Sequence, residues 1–262
     1  MEIISSAQNP KIKSLLCLQS KSKERRQSGL FVVEGVREIE HCKEAGYVIK
    51  SLFVCPEIFK GSLEGTLTED NPQIYSIPAQ LYDKLAYRGG TEGLIATVQA
   101  KDHSLDTLKL RKNALVMVLE SVEKPGNLGA VLRSADAAAA DAVIICDPLT
   151  DIYNPNLIRA SIGAVFTVPV AVASSEECIA FLKERGFKIL TAQLQDSELY
   201  YDSDMTGATA LVMGTEATGL GNAWREAASA HIRIPMLGRL DSLNVSVSAA
   251  ILLFEAIRQR QK

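Results

Sequence analysis

The sequence predicts an α/β protein in which a small mixed unit precedes a larger one built on a mostly parallel sheet. Three observations carry this. Between residues 114 and 262, short apolar runs alternate with helical patterns, as in a parallel sheet covered on both faces. The first hundred residues also mix strands and helices, in shorter pieces. Between the two, residues 99–113 (QAKDHSLDTLKLRKN) are polar and carry no Phe, Trp or Tyr, which marks a linker. The expected domains are therefore 1–105 and 112–262, and a chain of 262 residues is long enough for both.

The elements follow in order. Asn9-Pro10 ends a polar start, and a helical pattern at Ile12, Leu15 and Leu16 comes next. A strand is expected at 30–33, cut by Glu34-Gly35, then a helix over 36–45 that ends at Gly46. A strand over 48–55 is closed by Pro56, and residues 60–73 are rich in turn formers. A strand at 74–77, a helix near 78–85, a loop at 88–93 and a strand at 94–98 complete the first unit. In the second unit, strands are expected at 114–119, 142–146, 166–172, 188–192, 210–213 and 232–234. Helices are expected near 127–140, 155–162, 175–186, 222–229 and 244–258.

Bulk properties exclude several classes. The five cysteines (Cys17, Cys42, Cys55, Cys146, Cys178) include no C-x-x-C pair, so neither a metal nor a redox motif is expected. No apolar stretch is long enough to span a membrane, and the start lacks an apolar signal core. Reduced thiols and a cytoplasmic location are the expectation. The net charge of -3 announces no nucleic-acid partner, but its distribution is uneven. Residues 1–30 hold six Lys/Arg against two Glu. Such a run is either a solvated helix face or an RNA-contacting one.

Three segments of the second unit depart from ordinary punctuation. After the first strand, Pro125-Gly126 makes a turn and Asn127 stands where a helix cap belongs. Gly129 and Arg133 share a face of the helix that follows. Arg133 is a candidate for chemistry, or a surface partner of a carboxylate such as Asp136. The second segment, 211–221, runs from a buried strand into a loop with glycines at 214, 219 and 221. It is neither a Walker A loop nor G-x-G-x-x-G. Glu216 in that loop would repel a polyphosphate, so a ligand of another kind is expected. In the third, a strand ends at Pro235, and Asp241, Ser242 and Asn244 offer caps to a helix. Ser246 and Ser248 sit in its first turns, as capping groups or as pocket lining.

Together the order N-x-G-x-x-x-R, M-G-T-E-x-x-G-L and I-P-M-x-G-x-x-x-S-L-N-V-S-V-S-A-A resembles the three signature motifs of the SpoU (TrmH-like) family of SPOUT methyltransferases. The resemblance covers about 114–260. Residues 4–11 (ISSAQNPK) and 31–37 (FVVEGVR) look like the substrate-binding domain of many members, a small α/β unit similar to RNA-binding ribosomal proteins. The resemblance implies a deep trefoil knot, a rare exception to chain-threading rules. It also implies methyl transfer from S-adenosylmethionine to a ribose 2′-OH, ribosomal RNA being favoured over tRNA by the extra domain. Carried over, the cofactor-binding residues are Thr191, Ala192, Gly214, Ile234, Met236 and Leu243. Arg133 is the catalytic candidate, as base or as electrostatic clamp, with Asn127, Glu216, Asn244 and Ser246 orienting it, the ribose or the loops. A homodimer with its pocket near the interface is implied, and no metal. Lys11, Lys13, Lys23, Arg25, Arg26 and Arg37 are the candidate RNA contacts.

Two rivals differ in class. A non-catalytic RNA-binding or ribosome-assembly protein would not need the full set of motifs. A doubly wound dehydrogenase would carry G-x-G-x-x-G after a first strand, which neither half does.

Overall fold

The computed structural model describes residues 1–62, 71–87, 92–215 and 219–261. The chain forms two compact units, Met1–Lys101 with Asp151–Thr167, and Asp102–Thr150 with Val168–Lys262. The first unit opens with β1 (Glu2–Ile3), α1 (Pro10–Ser20), α2 (Ser22–Ser28), β2 (Leu30–Glu34) and α3 (Val36–Glu44). It continues with β3 (Ile49–Val54), β4 (Gln73–Ser76), α4 (Ala79–Leu85) and β5 (Leu94–Gln99). The second unit begins with β6 (Leu115–Glu120), α5 (Pro125–Ala137) and β7 (Ala142–Cys146). Two helices of the first unit come next, α6 (Pro155–Ser161) and α7 (Ala164–Thr167). The rest is β8 (Val170–Ala173), α8 (Ser175–Glu184), β9 (Lys188–Ala192), β10 (Glu198–Leu199), β11 (Thr209–Met213), α9 (Asn222–Ala227), β12 (Ala230–Arg233) and α10 (Val245–Arg260).

In the first unit, Asn9 caps α1 by accepting from the Lys11 N–H at 2.9 Å, and Pro10 supplies the first turn. Ile12, Leu15 and Leu18 of α1 are buried, whereas Leu16 faces outward. The five strands lie in the order β1-β4-β3-β5-β2, with β5 antiparallel to both neighbours. The apolar faces of α1 and α4 close over Val32, Phe53 and Ile95.

Three expectations change here: the domain of 151–167, the strand from 166 and the RNA contact of Arg25. Residues 151–167, assigned by sequence to the second domain, cluster with the first unit. Stacking is one reason: Tyr153 lies on Phe31 with centroids 3.9 Å apart, and Phe166 sits 5.3 Å from the Tyr47 ring. Phe166 is thus drawn into a helix, and the strand expected from 166 starts only at Val170. The second reason is Arg25, expected to touch RNA. It is 5% exposed; its Nε donates to Asp151 Oδ2 at 2.6 Å and its Nη1 to the Leu18 carbonyl at 2.5 Å. Nη1 also donates to the Gln19 carbonyl at 3.2 Å, so this buried guanidinium holds chain segments together and does not face outward to a phosphate.

The second unit carries a seven-stranded sheet in the order β10-β12-β9-β11-β6-β7-β8, parallel throughout. Strands β6, β7 and β11 are buried on both faces, which explains their unbroken apolar runs. Phe181 and Leu182 of α8 and Trp224 of α9 pack on one face. Helix α8 starts in a full capping box, Ser174 and Glu177 each bonding the other's backbone N–H. Strand β11 lies between β9 and β6, although the chain reaches β9 only after finishing β8 at the far edge.

Removing the Arg25 guanidinium would leave Asp151 charged and 12% exposed without its partner. Arg25→Ala is expected to lower the unfolding free energy by about 3 kcal/mol, read as a shift in urea midpoint. An RNA-contact role alone would leave the midpoint unchanged.

Candidate active site

The site forms at the C-terminal ends of β9, β11 and β12, where parallel α/β sheets leave a crevice. After β11 the chain returns on itself between Thr215 and Gly219, which bond each other, N–H to carbonyl at 3.2 and 3.0 Å. A Cβ on Gly214 would stand 2.2 Å from the Gly219 carbonyl oxygen and 2.6 Å from Leu220 N, so only glycine fits. Gly219 has φ +67°, again a glycine conformation.

A polar network beneath pins this turn. Glu120, at the end of β6, accepts the Gly221 N–H at 2.7 Å through Oε2. The Ser175 hydroxyl lies 2.6 Å from Asp147 Oδ2 and 3.2 Å from Glu120 Oε1, so its one proton goes to the nearer carboxylate. Its oxygen accepts the Trp224 Nε1–H at 2.9 Å. A single serine thus ties the ends of β6 and β7 to α8 and α9.

The cavity beside the turn has a volume of about 180 Å³. Of the six residues predicted to bind cofactor, Ala192, Gly214, Ile234, Met236 and Leu243 line it. Thr191 does not; it is fully buried, and its hydroxyl bonds His231 Nδ1 at 2.6 Å. Met213, Ile232 and Leu252 supply further apolar wall. The sequence did not single out Gln193 and offered Asp241 only as a helix cap; the two bring an amide and a carboxylate to the same space. No spacing rule marks them, because their neighbourhood exists only once β9, β11 and β12 lie side by side.

A second cavity, of about 230 Å³, shares Gly214, Thr215 and Val245 with the first. Asn127 and Lys124 line it. Asn127 Oδ1 accepts from Asn244 Nδ2 at 3.2 Å. Asn244 in turn caps α10, its Oδ1 accepting from Ser246 N at 2.9 Å and from the Ser246 hydroxyl at 2.6 Å. The structure therefore joins Asn127, Asn244 and Ser246 in one chain of bonds. Arg133 is exposed on α5 and lines neither cavity. The predicted residue Glu216 lies outside the described residues.

Among the RNA candidates of the first unit, Lys13, Lys23 and Arg26 are exposed on α1 and α2. Lys11 pairs with Glu2 at 2.7 Å and stands over the Tyr75 ring; the Glu2 bond raises its pKa. Arg37 is exposed and pairs with Glu38 at 2.8 Å. No group of His, Cys, Asp and Glu among the described residues is arranged to hold a metal ion. None of the described helices is long and apolar enough to cross a membrane.

Comparison with known proteins adds two family matches, the SpoU rRNA methylase family over residues 114–254 and the MRM3-like substrate-binding domain over 9–96. The chain is 31% identical to a 23S rRNA (uridine(2479)-2′-O)-methyltransferase of Streptomyces viridochromogenes, over 97% of this chain and 92% of that one. It is 29% identical to the 23S rRNA (guanosine(2553)-2′-O)-methyltransferase RlmP of Bacillus subtilis, over 97% and 98%. Among solved structures, an AdoMet-bound rRNA methyltransferase from Sinorhizobium meliloti superposes with a TM-score of 0.90 at 27% identity, covering 98% of this chain and 97% of that one.

The close approach at Gly214 makes a sharp test. Gly214→Ala must push the Gly219 carbonyl out of place, and S-adenosylmethionine affinity is expected to fall at least about tenfold by calorimetry. Unchanged affinity would show that the turn does not shape the cofactor's cavity.

Proposed function

The chain belongs to the SpoU rRNA methylase family, and from that premise we propose that it transfers a methyl group from S-adenosylmethionine to a ribose 2′-OH of 23S ribosomal RNA. The observation that carries this is the pair of cavities sharing Gly214, Thr215 and Val245, one apolar enough for an adenosine and the other lined by Asn127 and Lys124. A donor in the first and a ribose in the second would meet across that shared wall. The substrate-binding domain over 9–96 supports ribosomal RNA over tRNA.

The first cavity suits the cofactor chemically. Its apolar walls match a flat purine, Gly214 lines it, and Gln193 keeps a buried amide oxygen without a partner among the described residues. Ala192, Gly214, Ile234, Met236 and Leu243 would hold it, with Asp241 the group suited to its ammonium. Bound there, S-adenosylmethionine supplies an electrophilic methyl on a sulfonium leaving group.

The protein's own work is alignment of the hydroxyl and disposal of its proton. Asn127 is held by Asn244, which is itself held at the start of α10 by Ser246, so its amide is fixed against the second cavity. Arg133 is always charged, a poor base and a good stabiliser of a developing alkoxide or an adjacent phosphate. It stands outside both cavities of its own chain. That position supports a homodimer in which a second copy brings guanidinium and ribose together. Helix α10, which packs on α5, exposes Val247 at 47% and Phe254 at 48%, seven residues apart on one face. Lys13, Lys23 and Arg26 would hold phosphates. The reading includes the trefoil knot, for which the insertion of β11 between β9 and β6 is the support.

The deciding assay supplies labelled S-adenosylmethionine and ribosomal RNA from cells lacking the gene. Label is expected in 23S rRNA at one linkage that resists alkali. Arg133→Ala is expected to lose at least about a hundredfold in rate while binding cofactor normally. Label in tRNA alone, or on a base, would refute the assignment. For the dimer, sedimentation of the purified chain is expected to give twice the monomer mass, and Phe254→Asp to give monomer without methyl transfer. A monomeric, active wild type would exclude the two-copy arrangement.

A further inference from the structure

Gln193 follows β9 and lines the cofactor cavity. Its backbone N–H donates to the Ile232 carbonyl at 3.0 Å, which fixes the residue against β12. Its side-chain Nε2 donates to the Gln195 carbonyl at 2.9 Å. This bond sets the sense of the amide, since the reverse orientation would bring two carbonyl oxygens face to face. Oε1 is thereby turned away from Gln195, buried, and without a hydrogen-bond partner among the described residues. A buried acceptor left unmade is costly. Gln193 lines the cavity, so a ligand bound there is the source of a donor for this oxygen.

The chemistry of the donor can be narrowed. The cavity that Gln193 lines is walled by hydrocarbon from Met213, Ile232 and Leu252 and already holds one cation, Arg233. A cation would be poorly compensated there by one neutral carbonyl, and Asp241 lines the same cavity with a full negative charge. The donor that suits Oε1 is therefore neutral.

We propose that Gln193 is a cofactor-recognition residue whose Oε1 accepts a hydrogen bond from a neutral donor on the adenosine half of the cofactor, the 6-amino group or a ribose hydroxyl. The inference rests on the methyltransferase reading and deepens it. A site built around a hydrogen bond discriminates strongly against an analogue that lacks it, because the protein group is then left buried and unpaired.

The test is a cycle of protein and ligand changes read by calorimetry on the full-length chain. The ligands are S-adenosylhomocysteine, its 6-oxo (inosyl) analogue, and its 2′-deoxy and 3′-deoxy analogues. The proteins are wild type and Gln193→Leu, which is similar in size and lacks the acceptor. In wild type, one analogue is expected to bind at least about tenfold more weakly than the parent. In Gln193→Leu that ratio is expected to shrink to within about twofold of unity. The analogue that responds names the donor. Ratios that are the same in wild type and Gln193→Leu for all three analogues would overturn the proposal. Binding of no ligand by wild type would sink the methyltransferase reading, and this inference with it. Should Gln193→Leu fold poorly, Gln193→Met gives the same comparison.

Discussion

The architecture of the site depends on the closeness of two backbone stretches, Gly214 and Gly219–Leu220, at the end of the central strand β11. With 2.2 Å between a notional Cβ and the Gly219 carbonyl, the turn closes only on glycine. Both cavities are bounded by that turn. A looser loop would leave the methyl donor and its acceptor without a fixed boundary at which to meet. Rigidity is supplied from below. Glu120 accepts the Gly221 N–H, and Ser175 donates to Asp147 while accepting from the Trp224 indole. These bonds tie the ends of β6 and β7 to the elements that follow and stiffen the sheet edge.

Both cavities are walled mainly by hydrocarbon. The one assigned to the cofactor adds Gln193, Arg233 and Asp241, and its neighbour adds Glu123, Lys124 and Asn127. The lysine and the amide of the second suit an acceptor that carries phosphates. Phosphates are also the natural partners of the exposed cations on α1 and α2, in the unit that matches a substrate-binding family. With a net charge of -3, attraction to RNA has to be local to such patches.

Much of this was legible in the sequence, for physical reasons that differ by element. The parallel sheet announced itself because strands buried on both faces must be apolar at every position, as in 142–146. Asn244 read as a cap because its side chain satisfies a helix N–H that nothing else reaches, whereas Asn127, read the same way, lies inside the first turn of α5, which starts at Pro125. The choice at Asn244 between cap and site contact proved not to be a choice, since one amide caps α10 and bonds Asn127. Illegible features were those set by partners distant in sequence. Arg25 looked like one more cation in a basic run, and only Asp151 makes it structural. Phe166 belongs by propensity to a strand, and stacking with residues of the first unit overrides it. Gln193 carried no pattern at all.

The placement of residues 151–167 has a consequence for how the molecule is made. The ring of Tyr153 covers Phe31, and Arg25 meets its counter-ion at Asp151, so the first unit lacks part of its own core until the chain has been built well into the second. Growing from the ribosome, the N-terminal sheet can pair its strands early, but it waits with Phe31 uncovered while β6, α5 and β7 are added. The two units are thus interleaved in time. The substrate-binding half becomes complete only after the first three elements of the catalytic half exist, and a fragment cut at the linker would be a different, stickier object than the domain it resembles.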